Sequence, residues 1–287
     1  MTAYAYYPGC TLKTASREFD NSVRLVFWRM GLELKELPDW ACCGASSAHG
    51  TDRLLSIALP ARELIKAAAT GMPLVAPCAA CFLRMKTAAY ELKDPETREA
   101  VSGILGQVIP EDFKILHPLQ VLDAQSNMLV LKPLAGLKVA CYYGCMLVRP
   151  QKILEFDDID NPMIMDRVLR RAGMETVDWQ FKTECCGAGH ALAHPAVTWK
   201  LSHRILEQAK QAGADCVAVA CPLCQSNLDF QDTVRKAHHD NLVMPVFYFT
   251  ELLGLALRFS PDELMFGRHF TDPLPLLRSK GLVREAV

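Results

Sequence analysis

The 287-residue sequence predicts an α/β fold made of two homologous halves related by internal duplication, each with a mostly parallel sheet flanked by helices. Three observations carry that prediction. Short apolar runs of strand character alternate with longer stretches whose apolar positions recur every three or four residues, the alternation typical of parallel α/β sheets. Gly31, Gly71, Gly173 and Gly213 fall where those helices end and C-terminal caps belong. The cysteines, finally, fall into two sets with one syntax: Cys10, Cys42-Cys43-Gly44 and Cys78-Ala79-Ala80-Cys81, then Cys145, Cys185-Cys186-Gly187 and Cys221-Pro222-Leu223-Cys224. In both sets 34 residues separate the adjacent pair from the C-x-x-C, and one offset of 143 relates those four cysteines; the leading cysteines are 135 apart.

The first half, residues 1–126, is expected to hold strands at 3–7, 32–37, 73–76 and 114–116, with helices at 16–30 and 51–69. The uncharged stretch 67–83 contains Gly71, Pro73 and Pro77 and falls short of the roughly 20 apolar residues of a membrane span. It reads as a helix end, a turn and a buried strand. A join near residues 132–136 leads into the second half, 137–258, with strands at 138–142, 175–178, 215–220 and 246–248 and helices at 195–211 and 224–237. About eight extra residues separate Cys145 from Cys185, and the acidic, Pro-terminated segment 155–162 suits a surface loop. Beyond the thiols, Tyr7-Pro8-Gly9-Cys10 matches Tyr143-Gly144-Cys145, Pro38-Asp39-Trp40 matches Val177-Asp178-Trp179, and residues 117–122 echo 248–253. The tail, 259–287, carries Leu264, Met265, Phe266, Leu274, Leu276 and Leu277. It is expected to pack on the protein's own core, a partner-facing role being the alternative.

Composition narrows the function. With 51% hydrophobic and 22% charged residues the chain is of globular type. Thirty-one basic against thirty-two acidic residues give no general drive toward nucleic acid or anionic membrane. The first residues lack a basic and apolar signal pattern, so a cytoplasmic setting is expected, in which disulfides are disfavoured. Twelve cysteines then point to metal or redox chemistry.

Cys10, Cys78, Cys145 and Cys221 all follow predicted strands, where ligands gather in parallel α/β sheets. A lone C-x-x-C is a weak signal, whereas five thiols in one order, repeated at constant spacing, are a strong one. Structural zinc takes four ligands, leaving a surplus thiol in each half, and adjacent cysteines diverge too much to serve one ion comfortably. A polynuclear iron–sulfur cluster meets neither difficulty. Gly44 and Gly187 would let the backbone turn sharply beside it. Ordinary cubanes take four cysteines, so five per half point to something else. Zinc in one half is the alternative.

The repeated Cys…Cys-Cys-Gly…Cys-x-x-Cys pattern resembles the cysteine-rich CCG domain, and residues 1 to about 258 resemble the B subunit of heterodisulfide reductase. The motifs that carry this are Tyr7-Pro8-Gly9-Cys10, Tyr142-Tyr143-Gly144-Cys145 and Cys221-Pro222-Leu223-Cys224. The resemblance implies one noncubane [4Fe-4S] cluster on each five-cysteine motif, the two facing each other across a cavity where a disulfide is cleaved reductively. Carried over by position, Cys10, Cys42, Cys43, Cys78 and Cys81 hold one cluster, and Cys145, Cys185, Cys186, Cys221 and Cys224 the other. Splitting a disulfide takes two electrons, which suits two redox centres. The chain has no ferredoxin-type cysteine run and no G-x-G-x-x-G signature, so its electrons come from elsewhere. The resemblance implies that they come from the ferredoxin-like C subunit of heterodisulfide reductase, itself fed by the flavoprotein A subunit. Two other readings stand beside this one. The first is an electron-relay role in a lactate, glycolate or glycerol-phosphate oxidising system, and the second a zinc-stabilised interaction scaffold.

Other residues are read more plainly. Cys141 and Cys216 lie inside strands and are expected to pack as small hydrophobes. Met163, Met165 and Met174 are expected in the core. His49 and His190 follow the Cys-Cys pairs; His190, closer to its pair, is the candidate proton donor to a departing thiolate. His238 and His239 read as solvated surface, and His269 shows no partner. Lys13, Arg17, Arg84, Arg149 and Lys182 stand near the proposed ligands, where they would raise cluster potentials or attract an anionic disulfide.

Overall fold

The computed structural model describes residues 2–45, 48–125, 130–231 and 242–283. In chain order the first half comprises β1 (Thr2–Tyr6), α1 (Gly9–Lys13), α2 (Arg17–Arg29), β2 (Leu32–Glu36), α3 (Ala48–Thr51), α4 (Arg53–Ala69), β3 (Leu74–Val75), α5 (Ala79–Glu91), α6 (Pro95–Leu105), β4 (Ile115–Leu116) and α7 (Pro118–Asp123). The second half has β5 (Lys138–Tyr142), α8 (Gln151–Leu154), α9 (Ile164–Arg171), β6 (Glu175–Thr176), α10 (Pro195–Gln211), β7 (Cys216–Val219), α11 (Pro222–Asp229), β8 (Val246–Tyr248) and α12 (Phe249–Ala256), and α13 (Leu274–Ser279) lies in the tail. Two four-stranded sheets result, ordered β2-β1-β3-β4 and β6-β5-β7-β8, with every pairing parallel. The expected duplicated α/β fold is the observed one.

Local chemistry sets the boundaries. The helix expected at 51–69 breaks because Asp52 is extended and its carboxylate accepts the Leu55 N–H at 2.7 Å, so α4 starts at Arg53. The one expected at 224–237 starts earlier, because Pro222 occupies the first helical turn. It ends at Asp229, and 232–237 lie outside the described residues, as do His238 and His239. Gly31, Gly71, Gly173 and Gly213 all have the positive φ of a helix-terminating glycine.

The halves join by a reciprocal exchange of helices. Helix α2, between the first two strands of its half, packs on α12, which follows the last strand of the other; α9 packs on α7 in the same way. Each pairing therefore occurs twice, as at a two-fold dimer interface. Phe19 of α2 stacks on Tyr248 with ring centroids 4.2 Å apart, and the hydroxyls of Ser22 and Thr250 meet at 2.7 Å. On the other side Asp123 takes Arg167 at 2.6 Å and Arg171 at 2.9 Å.

Three expectations are corrected here. Segment 155–162 is not merely a surface loop: Phe156 is buried at the junction, edge-on to Phe82 and His117, while the Asp157 carboxylate accepts the N–H groups of Met163 and Ile164 ahead of α9. His269 has partners after all. Its Nε2 lies 2.9 Å from Glu251, its Nδ1 lies 3.8 Å from Asp229, and the ring is buried. Lys182 is also buried, 3.3 Å from Asp166, and faces no site. The tail behaves as expected, with Leu264, Phe266 and Leu277 in the core. Among the described residues no helix is long and apolar enough to cross a membrane.

Candidate metal centre

In a sheet ordered 2-1-3-4 the chain leaves the first strand on one side and returns on the other, so a crevice opens at the carboxyl ends of the first and third strands. Cys10 follows β1, Cys78 follows β3, and the Cys42-Cys43 pair arrives on the loop after β2. Cys145, Cys221 and Cys185-Cys186 take the same places around β5, β7 and β6. The five thiols of each set converge. In the first half Cys43 lies 3.2 Å from Cys81, with Cys10 beside Cys42 and Cys78 beside Cys81. In the second, Cys186 lies 3.6 Å from Cys224, with Cys145 beside Cys185 and Cys221 beside Cys224.

The two sites also share their scaffolding. Gly44 N–H donates to Cys42 Sγ at 3.4 Å, and Gly187 N–H to Cys185 Sγ at 3.3 Å. Gly9 and Gly144 both have positive φ, and a Cβ on either would stand 3.0 Å from the sulfur of Cys81 or Cys224. The chain thus passes this thiol closely and in the left-handed conformation that favours glycine. Tyr7 and Tyr142, whose part the motifs do not reveal, lie buried beside the thiols and donate to the carbonyls of Ala41 and Glu184 at 2.7 and 2.6 Å. These carbonyls precede the Cys-Cys pairs, so each tyrosine anchors its pair. Trp40 and Trp179 pack on the same two tyrosines. Glu63, fully buried, accepts the Ala41 N–H at 3.1 Å, and Asn227 donates to the Cys186 carbonyl at 3.2 Å.

One pair of thiols divides in acidity in the same way in both halves. A hydrogen bond from Cys81 outweighs burial and holds Cys43 down to about 7, and Cys224 does the same for Cys186. Cys81 and Cys224 are pushed well up by sharing those protons and by burial. Burial raises Cys42 and takes Cys145 to about 12, with Cys185 adding to it. Each half therefore contains a thiol ready to ionise next to one that holds its proton.

The donor set is sulfur alone, which suits iron–sulfur clusters or zinc and not hard cations. Among the described residues no group of three or more His, Cys, Asp or Glu side chains stands in the geometry of a single bound ion. The fit therefore rests on the chemistry of the donors and on their enclosure. Cys43, Cys78, Cys81, Cys186, Cys221 and Cys224 are buried, while Cys10, Cys42 and Cys185 reach solvent.

A small recess of about 30 Å³ opens onto the second set. Tyr143, Met146, Ala188, Gly189 and Leu223 line it with the thiols, and Ala79 of the first half closes one wall. Ala79 is the residue after Cys78, so the two sites adjoin. Among the described residues no basic side chain lines this recess. Lys13 instead pairs with Glu36 at 2.8 Å, Arg17 bonds the Lys13 carbonyl, and Arg149 bonds Thr183. Arg84 is half-buried on α5. His190 is exposed on the turn Ala188–His190, beside the lining residues, and His49 is exposed on α3. Cys141 and Cys216 are wholly buried in their strands, as expected of packing residues, and Met165 and Met174 are core.

A family model described as a cysteine-rich domain (CCG) matches residues 4–86 and 139–229. A Wolinella succinogenes protein named 8-methylmenaquinol:fumarate reductase membrane anchor subunit is 31% identical over 280 residues, which cover 95% of this chain and 98% of that one. The B subunit of a ferredoxin/F420H2-dependent CoB-CoM heterodisulfide reductase from Methanosarcina acetivorans is 29% identical, covering 92% of each chain. An Archaeoglobus profundus protein named as similar to the B subunit of heterodisulfide reductase is 26% identical over 92% of this chain and 93% of its own. Among solved structures, a hypothetical protein from Helicobacter pylori superposes with a TM-score of 0.78 at 14% identity and over 94% of this chain. That likeness concerns the fold, and this chain spans about half, 52%, of that one.

Proposed function

The chain belongs to the cysteine-rich CCG domain family, and from that premise we propose that it is the catalytic iron–sulfur component of a heterodisulfide-reductase-like complex. In this reading Cys10, Cys42, Cys43, Cys78 and Cys81 hold one noncubane [4Fe-4S] cluster, and Cys145, Cys185, Cys186, Cys221 and Cys224 hold a second. The observation that carries it is the adjacency of two complete five-thiol sets, Ala79 of one forming a wall of the other's recess. When bound, the clusters would supply the two electrons that a sulfur–sulfur bond takes up, one from each side.

The protein's own part is positioning and the exclusion of water. Met146, Ala188 and Leu223 offer an apolar approach to the second thiol set, in which a disulfide sheds its hydration. A disulfide that gains two electrons and two protons leaves as two thiols. His190, on the turn that lines the recess, is the proposed source of one proton. Among the described residues four of the five nearby basic residues are engaged internally and none lines the recess. Run in reverse, the same arrangement would form a disulfide. Electrons would enter from a ferredoxin-like partner of the heterodisulfide reductase C type, supplied by a flavoprotein of the A type, in the cytoplasm.

A second reading has its own observation. The Wolinella relative, 31% identical over nearly the whole chain, is named for a quinol:fumarate reductase. In that setting the protein would pass electrons on and cleave no disulfide.

Iron, acid-labile sulfide and zinc per chain, measured after anaerobic purification together with EPR, test the proposal. About eight irons with little zinc are expected. About four irons with one zinc would reduce the site to a single cluster and favour the relay, as would a fully loaded protein that, once reduced, leaves disulfides intact. Zinc without iron, in protein kept from oxygen, overturns the redox reading.

A further inference from the structure

His117 begins α7, and its ring is completely buried. The Leu119 N–H donates to Nδ1 at 3.2 Å, so the ring proton resides on Nε2, which donates to the Pro77 carbonyl at 2.9 Å. The backbone of Ala220, from the second half, lies beside the ring as well. Pro77 and Ala220 stand one repeat apart, and each immediately precedes the first cysteine of its C-x-x-C. One side chain of the first half is therefore bonded to the approach of Cys78 and set against the approach of Cys221.

The surroundings hold it there. Phe82 and Phe156 meet the ring edge-on with centroids 5.9 and 5.8 Å away, and Phe249 lies tilted at 6.2 Å. Phe82 follows Cys81, Phe156 comes from the inserted segment and Phe249 begins α12, so both halves build the pocket. In such dry surroundings a hydrogen bond is stronger than at the surface. Burial lowers the histidine to about 4 and keeps it neutral, the form that can donate from Nε2 while accepting at Nδ1. The arrangement is made once. At the corresponding place in the second half, Tyr248 also precedes its helix, but its ring stacks on Phe19.

We propose that His117 is a positioning residue that sets the two cysteine sites in fixed relation to each other, by bonding the chain before Cys78 while its ring packs on Phe156 and Phe249 of the second half and against the chain before Cys221. The proposal rests on the reading that both halves bind metal.

The test uses anaerobically purified, full-length metal-loaded protein and two readouts: the EPR line shape, including the magnetic interaction between the sites, and the rate at which a chelator strips metal. His117→Phe keeps the ring volume and removes the bonds to Pro77 and Leu119. The expected result is an altered interaction between the sites and metal affinity lower by about 10-fold or more, the usual range for a lost supporting partner. His117→Gln, which retains a donor, is expected to move both readouts back toward wild type, and it carries the test if His117→Phe does not fold. Phe156→Leu trims the same aromatic wall without touching those bonds and is expected to lower only the melting temperature. Identical changes in Phe156→Leu, or a His117→Phe protein altered in melting temperature alone, would overturn the proposal. If the wild-type protein contains zinc and no iron, the cluster reading fails, and the chelator rate still decides the role of His117 on the metal present.

Discussion

Lys182 and Asp166 form an ion pair that solvent hardly reaches, Nζ to Oδ1 3.3 Å, with side-chain exposures of 2% and 1%. The pair is built into the approach to Cys145. Tyr143 donates its hydroxyl to Asp166 at 2.7 Å, and the N–H groups of Tyr143 and Gly144 donate to the Lys182 carbonyl at 2.8 and 3.1 Å. Removing one partner leaves an uncompensated buried charge, which costs about 3–5 kcal/mol. Lys182→Met is expected to lower unfolding free energy by that amount in urea titrations. The double variant Lys182→Met/Asp166→Leu is expected to recover much of it.

Gly9 and Gly144 give each half its own handle. A methyl group at either position meets a thiol sulfur at 3.0 Å and forces a left-handed backbone on a non-glycine residue, a strain of roughly 1–2 kcal/mol. Gly9→Ala is expected to deplete metal from the first half alone, and Gly144→Ala from the second alone. Metal analysis of each variant should show about half the wild-type content, the remainder having the spectroscopic signature of the untouched site.

Cys141 separates packing from ligation four residues away from Cys145. It is wholly buried in β5, and burial raises its thiol well above the usual range. Cys141→Ala is expected to keep full metal content and lose about 1 kcal/mol of stability, the order of one buried methylene-sized group. Cys145→Ala, by contrast, is expected to lose metal from its half.

His269 predicts a pH dependence. Burial alone would lower its pKa, but the charge and hydrogen bond of Glu251, with Asp229 and Glu18 contributing, raise it to about 9. A group whose folded pKa exceeds its unfolded value of about 6.5 contributes stability that is complete below that pH. The contribution then falls as pH rises through about 9. Denaturant midpoints are expected to decline between about pH 6.5 and 9.5 in the wild-type protein, and His269→Gln should flatten that decline.

Much of this was legible in the sequence because repetition amplifies a weak signal. All eight described strands lie within a residue or two of their expected places, since each had a counterpart to corroborate it. The two thiol sets were legible for the same reason. What stayed hidden was whatever occurs once. The partners of Lys182, His269 and His117 lie 16 to 40 residues or more away, on other elements, with no periodicity to announce them. Phe156 sits among acidic residues whose composition reads as solvated, and only the junction it fills shows otherwise. Tyr7 and Tyr142 stand out as members of a motif, but their work depends on carbonyls that the fold brings to them.

The paired exchange of α2 with α12 and α9 with α7 is the contact that two free copies of one half would make, with every substitution then appearing on both sides at once. Joining the copies in one polypeptide lifts that obligation. Where the first half has His117 and Gln120, the second has Tyr248 and Glu251, and the bond from the third helical residue back to the backbone N–H before the helix is kept. Glu251 can then take His269 as a partner, while His117 turns to the centre. Each side of the junction has become free to specialise without dragging its twin along.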